Sequence, residues 1–347
     1  MSPDLVERLA TAVVIPVTPF AEDGSVDTGC YAALVARLLD DGVAAVTPNG
    51  NTGEVYTLTP HERQVVLETC TDAAAERAVV VAGVGFDVQT ATVDARAARA
   101  AGAHAIMIHQ PVHPYLSPAG WVDYNAAIAA AVPELGVLPY LKSQAITGAH
   151  IAELADRAPN VVGLKYSVDD PVHFAAVRAD AGGERLLWIA GLAEPYAPAY
   201  WQAGARGFTS GLANVAPRVS LDLLAALRAG EGVEEAWLRV RRFEELRAAR
   251  APPTTWPSSR RHCTSGGCAA VMSARPATCS GRRRPRRWRR RSPGGRPEDR
   301  APGDFMAPTG PVGAWRSTSR CSRGTTTSTG NGACRDGRTG RRPTCDQ

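Results

Sequence analysis

Lysine is almost missing from this chain. Among 347 residues there are two, Lys142 and Lys165, against 37 arginines. Where only a fixed positive charge is wanted, arginine serves. A lysine is required where an amine must lose its proton and attack a carbonyl. Long apolar runs are missing as well. No stretch reaches the roughly 18 consecutive apolar residues of a membrane-spanning helix. The first ten residues carry Asp4, Glu7 and Arg8 with no apolar stretch, so no secretory leader is expected and the cytoplasm is the expected location. Cysteine is scarce before residue 250, where only Cys30 and Cys70 occur, which fits a reducing compartment. The other six cysteines lie beyond it. Only Cys263 and Cys268 are neighbours, with no CxxC pair or histidine partner, so no metal site is expected.

The chain changes character near residue 250. Residues 1–250 hold 19 basic and 29 acidic side chains, a net charge of −10; residues 251–347 hold 20 arginines and 5 acidic side chains, a net of +15. The basic balance of the whole therefore belongs to the tail, and the first part has no electrostatic footprint for nucleic acid. From Ala251 onward there is no Leu, Ile, Tyr or Lys, and residues 282–291 are arginine except for Pro285 and Trp288. Three readings fit this tail: a basic arm for nucleic acid, a disordered linker, and the product of a shifted reading frame in a GC-rich gene. Back-translation of residues 253–275 with GC-rich codons, read one base over, permits DDLAVVKEALHLGGLCRRDVRPA. That is an amphipathic helical pattern followed by a basic turn.

Between residues 11 and 214, short apolar runs alternate with helical patterns. The strand candidates are residues 12–17, 44–47, 78–82, 105–109, 136–140, 161–165, 186–190 and 207–210. Runs of this kind without polar alternation read as strands buried on both faces. The helical stretches between them are residues 30–40, 59–75, 88–101, 117–131, 148–158, 172–179 and 194–203, with two more at 219–228 and 233–249. Thr59-Pro60-His61-Glu62 and Ser117-Pro118 are helix starts, and the glycines at 42, 102 and 204 mark helix ends. Eight strands alternating with helices predict a (β/α)8 TIM barrel over residues 1–250, with a truncated or aberrant C-terminal helical region. The alternative is a doubly wound open sheet, against which stands the lack of GxGxxG after the first strand.

In a (β/α)8 barrel, chemistry sits at the C-terminal ends of the strands. Those ends carry Thr18, the segment Asn49–Glu54, Gly83-Val84-Gly85, His109-Gln110, Tyr140, Lys165, Gly191 and Ser210. Lys165 closes the apolar run Val161–Leu164 and should point into the barrel mouth, where partial burial lowers an amine's pKa; a solvated lysine at a strand end is the plain alternative. Tyr140 closes the preceding strand. Its phenol is either a proton shuttle beside the amine or a core tyrosine with a satisfied hydroxyl. Gly50-Asn51-Thr52-Gly53 is either a carboxylate-binding turn, through its N–H groups and the Thr52 hydroxyl, or an ordinary connection.

Together these residues resemble the dihydrodipicolinate synthase/N-acetylneuraminate lyase family of class I aldolases, from about Val13 to Ala249. The family's GxTGE loop is matched by Gly50–Glu54 and its Schiff-base motif by Val162-Gly163-Leu164-Lys165. Its tyrosine is matched by Tyr140, the aromatic segment after strand four by Pro114-Tyr115, and the Gly-x-x-Ser-x-x-x-Asn region by Gly207–Asn214. The shifted-frame peptide also looks like the family's C-terminal VVKEAL…VRP region. The resemblance implies Lys165 and Tyr140 as catalytic residues, with Gly50, Asn51, Thr52, Gly53, Tyr115, Lys142, Thr209 and Ser210 around the substrate. It also implies no metal or organic cofactor, a 2-keto acid as the small-molecule partner, and a dimer or tetramer for an intact member.

Two departures bear on the reaction. Dihydrodipicolinate synthases carry an arginine five residues after the tyrosine, where Ala145 stands, and a threonine where Asn51 stands. The run Tyr140-Leu141-Lys142-Ser143-Gln144-Ala145 is similar to the Tyr-Asn-Arg-Asp-Asn-Ala of 5-dehydro-4-deoxyglucarate dehydratases, although Val55-Tyr56 replaces their Phe-Phe. The expected function is thus a Schiff-base lyase or dehydratase acting on pyruvate-type or 2-keto-3-deoxy sugar acids. A dihydrodipicolinate synthase or N-acetylneuraminate lyase type of aldolase, a non-catalytic keto-acid-binding barrel, and a nucleic-acid binder acting through the tail are the alternatives.

Overall fold

A computed structural model describes residues 3–113 and 116–250. Eight parallel strands close into a barrel in sequence order: β1 (Ala12–Val14), β2 (Ala45–Val46), β3 (Val79–Phe86), β4 (Ala105–Pro111), β5 (Gly136–Leu141), β6 (Gly163–Tyr166), β7 (Leu187–Ala190) and β8 (Gly207–Ser210). Closure rests on β8 pairing back to β1, with Val13 opposite Thr209. The expected TIM barrel is the fold, and the open sheet is excluded.

The strands read as unbroken apolar runs because both their faces are buried. Side chains of alternating parity belong to two separate cores. From the strands the inner one takes Val13, Ala45, Val79, Val81, Ala105, Met107, Leu138, Tyr140, Leu187 and Ile189. The outer one, between strands and helices, takes Val14, Val46, Val80, Ile106, Val137, Leu164, Tyr166, Trp188 and Phe208. A two-residue period thus decides, position by position, which side chains can reach the barrel interior.

The helices that form the outer layer are α2 (Thr28–Asp40), α3 (Pro60–Ala74), α4 (Val88–Ala100), α5 (Pro118–Ala130), α6 (Gly148–Arg157), α7 (Pro171–Asp180), α8 (Ala197–Gln202) and α9 (Pro217–Ala229). The start signals work as their chemistry requires. The Thr59 hydroxyl accepts from the Glu62 N–H while the Glu62 carboxylate accepts from the Thr59 N–H, and Pro60 takes the first helical position. The Ser117 hydroxyl accepts from Gly120 N at 3.0 Å. The helix-end glycines 42, 102 and 204 all have positive φ.

Two elements frame the barrel. Helix α1 (Pro3–Leu9), not anticipated from the sequence, packs Leu5, Val6, Leu9 and Ala10 against the inner core. It plugs the end opposite the strand C-termini. Helix α10 (Val233–Arg250) follows α9 as expected and lies against it, with the Trp237 indole N–H donating to Pro195 O at 3.0 Å. No described helix is long and apolar enough to cross a membrane. The tail 251–347, with its basic run and its six cysteines, lies outside the described residues.

Candidate active site

Lys165 sits on β6 between Leu164 and Tyr166, both of which face the outer core, so its own side chain enters the barrel. It is 3% exposed. The strand register puts it directly opposite Tyr140 on β5 and Ile189 on β7, both members of the inner core. Its amine lies 4.1 Å from the centre of the Tyr140 ring. Burial, and secondarily the charge of Lys142, pull its pKa from 10.5 down to about 7. The side chain is therefore an amine that is substantially neutral near pH 7, held against a phenol.

Gly191, just past β7, makes room for it. A Cβ there would lie 2.8 Å from Lys165 Cγ, 2.0 Å from Ser167 Oγ and 2.9 Å from Tyr166 O. Only a bare backbone can pass so close. Ser167 shares the inward parity of Lys165 one step beyond the strand. Its hydroxyl and the Asn51 side chain both approach the Tyr140 hydroxyl and favour its ionisation, although burial, the larger effect, still raises the phenol's pKa. Ser167 Oγ and Asn51 Oδ1 are buried without a closed hydrogen bond. Around the phenol the site thus provides a serine hydroxyl and an asparagine side chain that both favour the phenolate.

The connection after β2 supplies the other wall. Residues Asn51–Gly53 form one tight turn, and Glu54 follows in the left-handed region at φ 60°. Gly50 and Gly53 let it lie on the segment just after β1: added Cβ atoms would meet Ile15 Cγ2 at 2.4 Å and Pro16 O at 2.9 Å. The Thr18 hydroxyl donates to Gly53 O at 2.8 Å, and Asn214 donates to Ile15 O at 2.8 Å while accepting from Val17 N at 3.0 Å. The first N–H groups of such a turn have no partner within it. Thr52 lies beside Gly211, whose added Cβ would be 3.7 Å from the threonine hydroxyl.

His109 completes the interior. Its Nε2 lies 2.9 Å from Asn49 O, and since a carbonyl only accepts, Nε2 carries the proton. Burial, which outweighs that bond, lowers its pKa to about 4, so the ring is neutral and cannot compete with Lys165 for a proton. Phe86, Tyr56, His109 and Tyr140 stack edge to face from the rim inward, with successive ring centres 5.5, 5.7 and 6.1 Å apart. Lys142, one residue beyond β5, is exposed, with its ammonium 5.7 Å from the centre of the same Tyr140 ring.

Over residues 8–251 the chain matches the family described as dihydrodipicolinate synthetase. It belongs to that family. It is 33% identical over 232 residues to a probable 5-dehydro-4-deoxyglucarate dehydratase of Rhodococcus opacus, covering 66% of this chain and 76% of that protein. It is 34% identical over 234 residues to a 4-hydroxy-tetrahydrodipicolinate synthase of Mycolicibacterium paratuberculosis, again covering 66% and 76%. The crystal structure of dihydrodipicolinate synthase from Oceanobacillus iheyensis superposes with a TM-score of 0.68 at 38% identity, covering 71% of this chain and 83% of that one. Membership of this family makes the protein a lyase or aldolase type of enzyme, as the sequence led one to expect.

Within this family barrel the expected site residues fall into three groups. Lys165, Lys142 and Asn51 gather around Tyr140; Gly50, Thr52 and Gly53 belong to the turn that carries Asn51; and Thr209, opposite Val13 in the register, faces the barrel interior. Ser210 does not. Its parity sends it outward with Phe208, where it donates to the buried Glu194 carboxylate and accepts from Ala213 N at 2.9 Å. Its hydroxyl is consumed by the helix layer and is unavailable to a substrate in the barrel. Tyr115 lies outside the described residues. Ser167 was not singled out from sequence, although its parity with Lys165 was signal enough.

Proposed function

We propose that this family member is a dehydratase of a 2-keto-3-deoxy sugar acid, working through an imine at Lys165. The observation that carries the reading is a buried amine with a pKa of about 7 held 4.1 Å from a phenol ring. The neutral amine attacks the keto carbon, and Tyr140 passes protons to the departing carbinolamine hydroxyl. The protonated imine is then an electron sink. It acidifies the neighbouring CH2, and the resulting enamine expels the hydroxyl one carbon further on as water. The turn N–H groups of Asn51 and Thr52 and the Thr52 hydroxyl hold the carboxylate next to the keto group. Asn51 and Ser167 orient the phenol.

Dehydration is favoured over aldol condensation by the segment after Tyr140. Ala145 offers no cation where the synthases of this family carry an arginine, and the relatives at 33% identity include several named as probable dehydratases. The aldolase reading keeps the same imine and differs only in which bond the enamine breaks or forms. Incubation with pyruvate and borohydride should add the reduced adduct to Lys165 alone. A folded sample left unmodified at Lys165 would refute the imine and with it both readings. A barrel that only binds keto acids would show saturable binding unaffected by Lys165→Arg.

A further inference from the structure

Asn49, the residue before the turn after β2, holds a left-handed backbone at φ 57°. Asparagine tolerates that region better than most side chains, but at a cost that neighbouring contacts must offset. Three hydrogen bonds do so. The Asn49 Nδ2 donates to Arg63 O at 2.9 Å, Gly83 N donates to Pro48 O at 2.9 Å, and the Asn49 carbonyl accepts from His109 Nε2 at 2.9 Å. We propose that His109 is a positioning residue, whose N–H holds the peptide between Asn49 and Gly50 so that the Asn51 and Thr52 N–H groups meet the substrate carboxylate. This rests on the reading of that turn as the carboxylate site.

Space is the first support. Strand β3 carries Gly83 and Gly85 behind the pair. An added Cβ at Gly83 would lie 2.1 Å from Asn49 O and 2.9 Å from His109 Nε2, and one at Gly85 would lie 2.9 Å from His109 Cβ. Neither glycine has a positive φ, so room rather than backbone freedom is what they provide. The strand is cut away for the imidazole and the carbonyl together. Both partners are buried, so water is a poor substitute for the imidazole N–H.

The state of the donor is the second. Burial holds the His109 ring neutral, with a pKa of about 4, and the carbonyl fixes its proton on Nε2. The bond is therefore present throughout the range in which Lys165 loses its proton, and it puts no further charge beside the iminium. On the other side of Asn49, Arg63 pairs with Asp94 at 2.9 Å and donates to Leu58 O at 3.2 Å. That makes α3 a firm anchor for the Asn49 side chain. Asn49 is thus clamped between α3 and β4, with His109 on the β4 side.

The consequence of unclamping follows from peptide geometry. A trans peptide is rigid, so its C=O and N–H turn together. Without the imidazole N–H the Asn49 carbonyl is left buried and short of a donor. Relaxation of Asn49 out of the left-handed region then rotates the peptide and displaces the turn that follows. Only molecules with the turn in place bind the carboxylate well, and the apparent affinity falls with their fraction. For one neutral hydrogen bond and its buried acceptor, the loss is about tenfold.

The test compares pyruvate with acetone, which share a methyl ketone and differ by the carboxylate. The readout is the ratio of their borohydride-trapping efficiencies at Lys165. A change in the amine's reactivity, or in the folded fraction, moves both probes together and cancels in that ratio. His109→Leu should lower the ratio about tenfold, with the loss in half-saturating pyruvate rather than in the rate at saturation. His109→Gln places an amide N–H near the position of Nε2 and should keep most of the wild-type ratio. His109→Asn places it near Nδ1 and should fall as His109→Leu does, which keeps the test open if the leucine variant does not fold. Thr52→Val, which removes a carboxylate contact directly, calibrates the scale. A fall with Thr52→Val and none with the His109 variants, or a glutamine variant no better than asparagine, would overturn the proposal and leave the carboxylate site standing; no fall in any of them would overturn both. If pyruvate leaves Lys165 of a folded wild-type sample unmodified, the imine has failed instead. Calorimetric binding of pyruvate to the wild type and to the glutamine and asparagine variants then decides the role of His109 by the same loss and rescue.

Discussion

Burying a lysine that must be neutral costs stability, and the cost has a definite pH signature. In the unfolded chain Lys165 titrates at the ordinary 10.5, and in the barrel at about 7. At pH 7 an ordinary lysine is deprotonated about once in three thousand molecules, whereas Lys165 is so about half the time, a gain of roughly a thousandfold in competent nucleophile. The same shift, at about 1.4 kcal/mol per pH unit, amounts to about 4 kcal/mol of destabilisation at pH 7 as an upper limit. Its sign follows from proton counting. Between pH 7 and 10.5 the unfolded chain binds more protons than the folded one, so stability rises with pH across that window. Above it the cost vanishes, and below pH 7 it is constant. Lys165→Met removes the group from both states. The variant should therefore be more stable than wild type at pH 7, by up to a few kcal/mol, with the gap closing steadily toward pH 10. Urea unfolding of both proteins at unit pH intervals measures this. A gap that is absent, or the same at pH 7 and pH 10, would refute the buried neutral amine.

Trapping of pyruvate by the wild-type chain should rise with pH through about 7 and level off above 8, because only the neutral amine attacks; a rise centred near 10 would mean an unperturbed lysine. Tyr140→Phe should slow adduct formation by about a hundredfold or more while leaving the midpoint of that pH profile near 7, read by mass spectrometry of timed borohydride quenches. Gly191→Ala should abolish trapping and destabilise the fold by roughly 1–3 kcal/mol, since its Cβ would sit 2.0 Å from Ser167 Oγ with backbone at 2.9 Å behind it; wild-type trapping rates would contradict the packing. Ser210→Ala should cost about 1–3 kcal/mol of unfolding free energy by leaving the buried Glu194 short of a donor, with pyruvate trapping in the folded protein unchanged.

Much of this fold is legible because a barrel strand has little freedom. Each needs a few β-branched or aliphatic residues buried on both sides, and Val79-Val80-Val81 and Ala105-Ile106-Met107-Ile108 are runs of that kind. Helix starts were readable for an equally local reason: the Thr59 cap and its Glu62 partner satisfy orphan N–H groups with atoms three residues apart. Helix α1 was hidden because its role is not local. Leu5, Val6 and Leu9 form too short an amphipathic pattern to stand out, and they acquire meaning only once a barrel end exists to be plugged. Asn51 shows the same limit. As a residue type it reads as the loss of a hydroxyl, yet the turn after β2 brings its amide to the Tyr140 hydroxyl from 89 positions away in sequence.

The contrast between Thr209 and Ser210 shows what the site owes to the period of a strand rather than to its composition. Both are small hydroxyl residues at the end of β8, and by type either could meet a substrate. Their neighbours separate them. Phe208 is locked in the outer core, so Thr209 must face inward, and Ser210 must face the helices with it. There the Ser210 hydroxyl meets Glu194, a carboxylate 0% exposed that also accepts from Ser220 at 2.6 Å. A buried carboxylate is costly without donors, and these two hydroxyls are what makes it tolerable. Since Glu194 opens the stretch three residues after Gly191, its anchoring on β8 and α9 also fixes the backbone that packs on Lys165. Counting parity from Leu164 assigns Lys165 and Ser167 inward by the same rule. The polar residues of this barrel mouth thus sort into those that face a substrate and those that hold the wall in place.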